Sequence, residues 1–256
     1  MSPNGAEGNV NPRLHRLPPP THLDFDKNRL AQYREQVVGC APFAAFVRYE
    51  VLTSLLAGIP GALGHLLRGR LYGCFLRRFG GRSTIAKGVT LLGTDRIEIG
   101  ADVGIDEYVR LQVRPVAAGI TIGDHVRIGH FTTLHAGDAS TASISIGAGS
   151  HLNCYVYINA LGRVSIGENV LLAPGVVVNS GWHEYARRDV LVKQQPCRAI
   201  DIEIEDDVYL AAGARVLDGA HIGRGAVIGA GVTVQSYVEP YSVMIGNPAV
   251  RLGERR

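Results

Sequence analysis

The chain has 256 residues, 46% of them hydrophobic, enough for one cored domain and one small added segment. Its 26 Lys and Arg against 23 Asp and Glu leave a net charge of +3, and the basic residues do not gather on an aromatic-bearing stretch, which argues against nucleic acid as a partner. The four cysteines, Cys40, Cys74, Cys154 and Cys197, are widely spaced with no C-x-x-C, so they imply neither a zinc site nor a disulfide framework and fit a reducing, cytoplasmic compartment.

Residues 1–23 are polar and rich in proline, with Pro18-Pro19-Pro20, and are expected to form a disordered tail rather than a secretory signal. Residues 24–79 read as a helical segment. Asp24 or Asp26 is placed to cap a first helix running through Leu30, Tyr33 and Val37. The stretch from Leu52 to Leu67 carries no charged residue and is broken at Gly58-Ile59-Pro60-Gly61. It is shorter than the roughly 20 apolar residues a membrane span needs. Arg68, Arg70, Arg77 and Arg78 follow it. Two readings stand for residues 52–78. One is a packed cover or oligomer contact over an open domain end. The other is a peripheral membrane contact, with the arginines on anionic headgroups. Packing is preferred, because Pro60 and its neighbouring glycines suit a bent hairpin better than a continuous amphipathic helix.

From about residue 83 the pattern changes. Aliphatic residues recur every six positions: Ile99, Ile105, Leu111; Ile122, Ile128, Leu134; Ile146, Leu152, Ile158; Ile166, Leu172, Val178; and Ile204, Leu210, Val216, Ile222, Ile228, Val234. Glycine follows many of them. A period of six is neither the 3.6 of an amphipathic helix nor plain alternation. It marks a hexapeptide-repeat β-helix, in which each repeat makes a short strand and a turn and points one aliphatic inward. Residues 80–256 are therefore expected to form a mainly β, parallel β-helix domain. The beat is interrupted after Leu111, Leu134 and Ile158, and most of all at 184–203. Insertions in a solenoid emerge as surface loops, where function is commonly carried.

The run Ile166-Gly-Glu-Asn-Val-Leu-Leu-Ala-Pro-Gly-Val-Val-Val-Asn-Ser-Gly-Trp-His183 resembles the central motif of the maltose and galactoside O-acetyltransferases. The resemblance continues through a polar loop into Ile204-Glu-Asp-Asp-Val-Tyr-Leu-Ala-Ala and ends on Gly246-Asn-Pro-Ala249, covering about residues 85–252. It implies a left-handed winding and a homotrimer with sites between subunits. It further implies transfer of an acyl group from acetyl-CoA or another acyl-CoA to a hydroxyl of a sugar or similar small acceptor. His183 is then the general base, since a hydroxyl attacking a thioester must lose its proton to a group titrating near neutrality. Asn153 matches an asparagine beside the acceptor and thioester. Trp182, Asn179 and Tyr209 are placed to line the acceptor site. Ala211, Ala212, Ala230 and Gly231 fall where the pantetheine arm lies, with Arg251 toward the nucleotide phosphates. Spacing alone identifies no acidic partner for His183.

One segment points elsewhere. His130 and His135, in Ile128-Gly-His130-Phe-Thr-Thr-Leu-His135, resemble the histidine pair of the γ-class carbonic anhydrases, but Gln112 stands where a third zinc ligand is needed. That metalloenzyme and a non-catalytic β-helix scaffold are the alternatives, and no metal is expected.

Overall fold

The fold, taken from a computed structural model, is described for residues 14–17, 28–39 and 41–255. Three sheets of seven, eight and nine strands, parallel except for one closing strand of the last, form the faces of a three-sided prism. A first face contains Ile97–Ile99, Gly119–Ile122, Ser143–Ile146, Arg163–Ile166 and Ile202–Ile204. A second contains Gly104–Ile105, Arg127–Ile128, His151–Leu152, Leu171–Leu172 and Tyr209–Leu210. A third contains Arg110–Val113, Thr133–Ala136, Tyr157–Ala160, Val177–Asn179 and Arg215–Leu217. The chain visits the faces in that order and then steps up one coil. Leu210 pairs with Ile228, so a coil without an insertion takes 18 residues.

The six-residue beat is the reason for the core. Ile204, Leu210, Val216, Ile222, Ile228 and Val234 are all buried, as are the earlier aliphatics of the series. In-register pairing stacks each on its equivalent, as in Leu111 on Leu134 and Leu134 on Ile158. The interior is thus filled by columns of aliphatic side chains running the length of the prism. Each coil buries its face only against its neighbours.

A coil this tight turns on a left-handed residue at its corners. Along the edge between the second and third faces, positive φ falls on Gly88, Tyr108, Phe131, Tyr155, Gly175, Gly213 and Gly231. Glycine adopts that conformation freely, whereas an aromatic side chain is strained there.

The helical segment contains α1 (Arg29–Val38), α2 (Phe43–Leu56) and α3 (Gly61–Leu71). Asp24 and Asp26 lie outside the described residues. The cap of α1 is Asn28, whose side chain accepts from the Leu30 N–H at 2.9 Å. The helices cover the first coil, whose strands have no preceding neighbour to pair with. There the Tyr49 hydroxyl donates to the Leu91 carbonyl at 2.8 Å, and the Gly93 and Gly88 N–H groups donate to Val37 and Ala57. Arg68 is fully buried. Its Nε donates to the Ile85 carbonyl at 2.8 Å, and its Nη1 to the Leu56 and Ile59 carbonyls at 2.7 and 2.8 Å. One guanidinium therefore joins the end of α2 to the exposed edge of the β-helix, which blunts an edge strand.

The expected tail 1–23 needs one correction. Leu14–Leu17 form a strand paired antiparallel with Cys197–Ile200. The rest of that stretch, 1–13 and 18–23, lies outside the described residues.

The Arg68 fork is testable. Arg68→Leu removes the guanidinium donor from the Ile85, Leu56 and Ile59 carbonyls, of which Leu56 keeps a bond from the Ile59 N–H, and is expected to lower unfolding free energy by about 3 kcal/mol or more in urea titration. Arg68→Lys should recover only part of that, because an ammonium cannot reproduce the planar fork. A loss under about 1 kcal/mol in Arg68→Leu would contradict the assigned role.

Candidate functional site

The long insertion leaves the prism at the edge between the third and first faces and folds back on itself. Gly181–His183 pairs antiparallel with Cys197–Ile200, with His183 opposite Cys197 and Trp182 opposite Arg198. Gly181 is required by crowding, since a Cβ there would lie 2.9 Å from the Arg198 carbonyl oxygen and 2.7 Å from Leu161. Leu14–Leu17 adds the third strand on the far side of Cys197–Ile200. At the hairpin base, Glu184 donates its N–H to the Pro196 carbonyl at 2.8 Å. The tip is closed by Gln195, buried to 2% exposure, whose amide donates to the Arg187 and Val190 carbonyls and accepts from the Arg187 N–H.

His183 is exposed at the end of this short strand. Its Nδ1 lies 3.5 Å and its Nε2 3.9 Å from the Cys197 sulfur. A thiol is a weak partner, so the imidazole is positioned without being committed to a strong hydrogen bond. Burial pushes the Cys197 thiol above its ordinary pKa, which keeps it protonated at neutral pH. Glu184, next in sequence, faces away in function. Its carboxylate meets Arg198 Nε at 2.5 Å and Arg16 Nε at 3.6 Å. The hydrogen bond from Arg198 holds the Glu184 carboxyl below the usual carboxylate range. That carboxylate bridges two arginines from strands that would otherwise repel, Arg16 and Arg198 standing directly opposite each other. On the same strand, His15 Nε2 lies 3.0 Å from Asp201 Oδ1, which also accepts the Arg163 N–H at 2.7 Å.

A polar ladder leads to the hairpin along the third face. Gln112, His135, Asn159 and Asn179 occupy one register position in successive coils. His135 Nδ1 lies 3.0 Å from Asn159 Oδ1, Asn159 Nδ2 donates to Asn179 Oδ1 at 2.8 Å, and Asn179 Nδ2 donates to the Gly181 carbonyl at 2.7 Å. Because Asn159 presents an oxygen, His135 carries its proton on Nδ1. Burial lowers its pKa and keeps the ring neutral. Asn179 thus fixes the backbone two residues before His183. His130 lies at a different corner, edge-on to Phe131 and Tyr155. Among the described residues, no three His, Cys, Asp or Glu side chains converge as a metal site would need.

The other expected site residues lie on a different edge. Asn153 follows the His151–Leu152 strand, at the corner between the second and third faces. Ala211, Ala212, Ala230 and Gly231 fall on that same corner in later coils, where the Gly213 N–H donates to Pro174 and the Gly231 N–H to Ala212. Tyr209 starts the strand leading into it and is 37% exposed. A Cβ on Gly213 or Gly231 would meet nothing within 4 Å, so this stretch of edge is bare backbone. One chain therefore carries two separate groups, His183 with Trp182 and Asn179 at the hairpin edge, and Asn153 with the small-residue corner at the next edge. Arg251 is engaged with carboxylates, meeting Glu239 at 2.6 Å and Glu254 closer still.

Cys197, Asn159 and the Leu14–Leu17 strand did not emerge from the sequence as site elements, and His135 emerged only as half of a metal pattern, not as part of this ladder. The ladder had one available signal, a polar residue just after the inward aliphatic in four successive coils.

Comparison with known proteins gives a consistent result. Residues 201–236 match a family model described as bacterial transferase hexapeptide (six repeats). The probable acetyltransferase Rv3034c of Mycobacterium tuberculosis is 28% identical over 150 residues, 57% of this chain and 48% of that protein. The putative acetyltransferase C18B11.09c of Schizosaccharomyces pombe is 34% identical over 88 residues, 34% of this chain and 41% of that one. The chain thus spans less than half the length of these curated relatives. Among solved structures, the polysialic acid O-acetyltransferase OatWY aligns with a TM-score of 0.51 and 24% identity, over 68% of this chain and 86% of that one. The Bacillus cereus N-acyltransferase AntD, in complex with dTDP and 3-hydroxybutyryl-CoA, aligns at 0.50 and 16% identity, over 74% and 88%. Both likenesses show the fold.

The protected thiol at the hairpin is open to a direct check. Cys74 is exposed while Cys197 is buried with a raised pKa. Brief iodoacetamide treatment near neutral pH, followed by peptide mapping, is expected to modify Cys74 before Cys197. Faster modification of Cys197 would show a thiolate at the hairpin in place of a thiol.

Proposed function

We propose that this chain is a hexapeptide-repeat acyltransferase that moves an acyl group from coenzyme A to a hydroxyl of a sugar or similar small acceptor. The observation that carries the reading is His183 itself: an exposed imidazole, held on a three-stranded sheet at the base of the long insertion, with the Cys197 thiol beside it. Relatives named as acetyltransferases support the reaction class, and acyl-CoA in the AntD structure supports the donor.

In this mechanism His183 acts as its neutral form with Nδ1–H toward the Cys197 sulfur, which leaves the Nε2 lone pair for chemistry. Nε2 takes the acceptor hydroxyl proton as the oxygen attacks the thioester carbonyl. The tetrahedral oxyanion is stabilised by the Asn153 amide or a backbone N–H. On collapse the carbon–sulfur bond breaks, and the imidazolium returns its proton to the departing thiolate. The products are the acyl ester and free coenzyme A. No residue of the protein is acylated, so donor and acceptor must be bound together.

The separation of the two edges bears on assembly. His183 and Asn153 occupy different corners of one prism, so a cleft holding both requires a second copy. A cyclic trimer would set the hairpin edge of one chain against the bare edge of the next, with three equal sites. The pantetheine arm would then lie along Ala211, Ala212, Ala230 and Gly231, where side chains no larger than a methyl admit a ligand close to the backbone. The left-handed sense of the coil belongs to the same reading. Trp182 and Tyr209 would bound the acceptor from the two sides. Arg251 can reach a nucleotide phosphate only by leaving Glu239 or Glu254.

Thiol release from acetyl-coenzyme A against a panel of sugar acceptors tests the proposal. His183→Ala should reduce turnover by roughly 10²–10⁴-fold with the fold and oligomeric state unchanged. Near-normal turnover in that variant would remove His183 as the base. Absence of thiol release by the wild type with every sugar would shift the acceptor to another hydroxyl or an amine.

A further inference from the structure

The helices that cover the first coil have two apolar faces, and the prism accounts for only one. Phe46, Tyr49 and Leu56 of α2 are buried against the core. On its outer face, Phe43, Val47, Val51 and Leu55 recur every fourth residue, which aligns them along one side. They are 58, 43, 50 and 66% exposed. Leu63 and Leu66 of α3 continue the exposed surface at 60 and 52%. Single exposed aliphatics need no explanation, but an aligned row with neighbouring leucines does.

The charge around this surface is one-sided. From Val51 through Thr94 the chain has no Asp or Glu, while Arg68, Arg70, Arg77, Arg78, Arg82 and Lys87 fall within it. Arg77, Arg82 and Lys87 are matched by Glu98, Asp102 and Glu107 of the following coil, and Arg68 is buried under the helices. Arg48, Arg70 and Arg78 are exposed and have no acidic partner among the described residues. No described helix is long and apolar enough to cross a membrane.

We infer that the outer face of α2 and α3 docks on an anionic lipid surface. The apolar row sinks to the depth of the headgroup–acyl boundary, and Arg48, Arg70 and Arg78 meet lipid phosphates. A second copy of the chain is the less suitable occupant. Self-association through this face would bring a surface whose one α2 carboxylate, Glu50, already accepts from the Tyr33 hydroxyl, and whose exposed arginines outnumber it, against itself, and like charges across an interface are costly. An anionic bilayer supplies both missing parts, apolar volume and negative charge. The docked face is at the first-coil end of the prism, so the hairpin carrying His183, several coils away, stays accessible. The inference does not depend on the acyl-transfer reading.

The test is flotation of the full chain with vesicles of phosphatidylcholine alone and of phosphatidylcholine with phosphatidylglycerol. The protein is expected to rise with the phosphatidylglycerol vesicles and to be released as salt increases. Val51→Asp with Leu55→Asp should abolish flotation. Arg70→Glu with Arg78→Glu should weaken partitioning by roughly tenfold or more. All four positions are exposed, so circular dichroism and sedimentation of the variants should match the wild type. No flotation of the wild type with anionic vesicles would overturn the inference. So would flotation unchanged in Val51→Asp with Leu55→Asp. A smaller assembly for that variant, without any vesicle binding by the wild type, would show that the face is a contact between copies.

Discussion

The constraint on which the rest of the structure depends is the backbone ladder between coils. Each strand pairs with its equivalent one turn below and one turn above, and only then does an inward aliphatic such as Leu210 find Leu172 beneath it and Ile228 above it. A stack of this kind is satisfied everywhere except at its two ends. Both ends carry dedicated structure. At the first coil, carbonyls of the open edge are taken by Tyr49 and Arg68. At the last, Val250–Glu254 folds back antiparallel on Ser242–Ile245 and occupies the edge of the second face. The helices and the closing strand are consequences of a solenoid having ends.

The hairpin follows from the same ladder by contrast. Parallel coils pair chiefly through their backbones, but the insertion leaves that pattern and must supply its own partners. It does so with antiparallel pairing to Cys197–Ile200, a third strand from Leu14–Leu17, the Glu184 bridge between Arg16 and Arg198, and the buried Gln195 amide. The polar ladder from His135 through Asn159 and Asn179 ends on the Gly181 carbonyl, so the position of His183 is coupled to the rigid third face. A side chain on a loop is thereby given the precision of a side chain on a sheet.

The inward columns were legible because a repeat of six survives every insertion: Ile146, Leu152, Ile158, Ile166, Leu172 and Val178 keep the beat across two coils and are all buried. The helix break at Pro60 was legible because proline removes a donor and fixes φ. Leu14–Leu17 was not legible, since four residues beside a proline run give no local sign of a partner near residue 200. Cys197 was missed for a related reason. Antiparallel register across the hairpin sets it opposite His183, and register depends on where a long loop turns, which composition does not encode. His135 was read as half of a metal pattern because its spacing from His130 is five. The coil places one at a corner and the other on a face, so spacing in sequence did not become adjacency in space.

The edge between the second and third faces shows how one backbone requirement admits two chemical answers. Every coil needs a left-handed residue there. In three successive coils it is aromatic: Tyr108, Phe131 and Tyr155, with φ near 59°. Strain of about 1 kcal/mol or more at each is expected for a side chain in that conformation. Their rings stack, with centroids 5.3 Å apart and planes within 5° and 9° of parallel, and each such pair returns about 0.5–1.5 kcal/mol. Stacking thus offsets the strain along this stretch of the edge. Glycine takes over above Tyr155, at Gly175, Gly213 and Gly231, so the left-handed position itself carries no side chain. The edge is divided into a walled half and a bare half, and the change falls at Asn153–Tyr155. The small residues Ala211, Ala212 and Ala230 lie on the bare side, where an extended ligand can run against backbone. A sequence of turns that satisfies one steric rule in two ways therefore leaves one half of this edge lined by stacked rings and the other half free of large side chains.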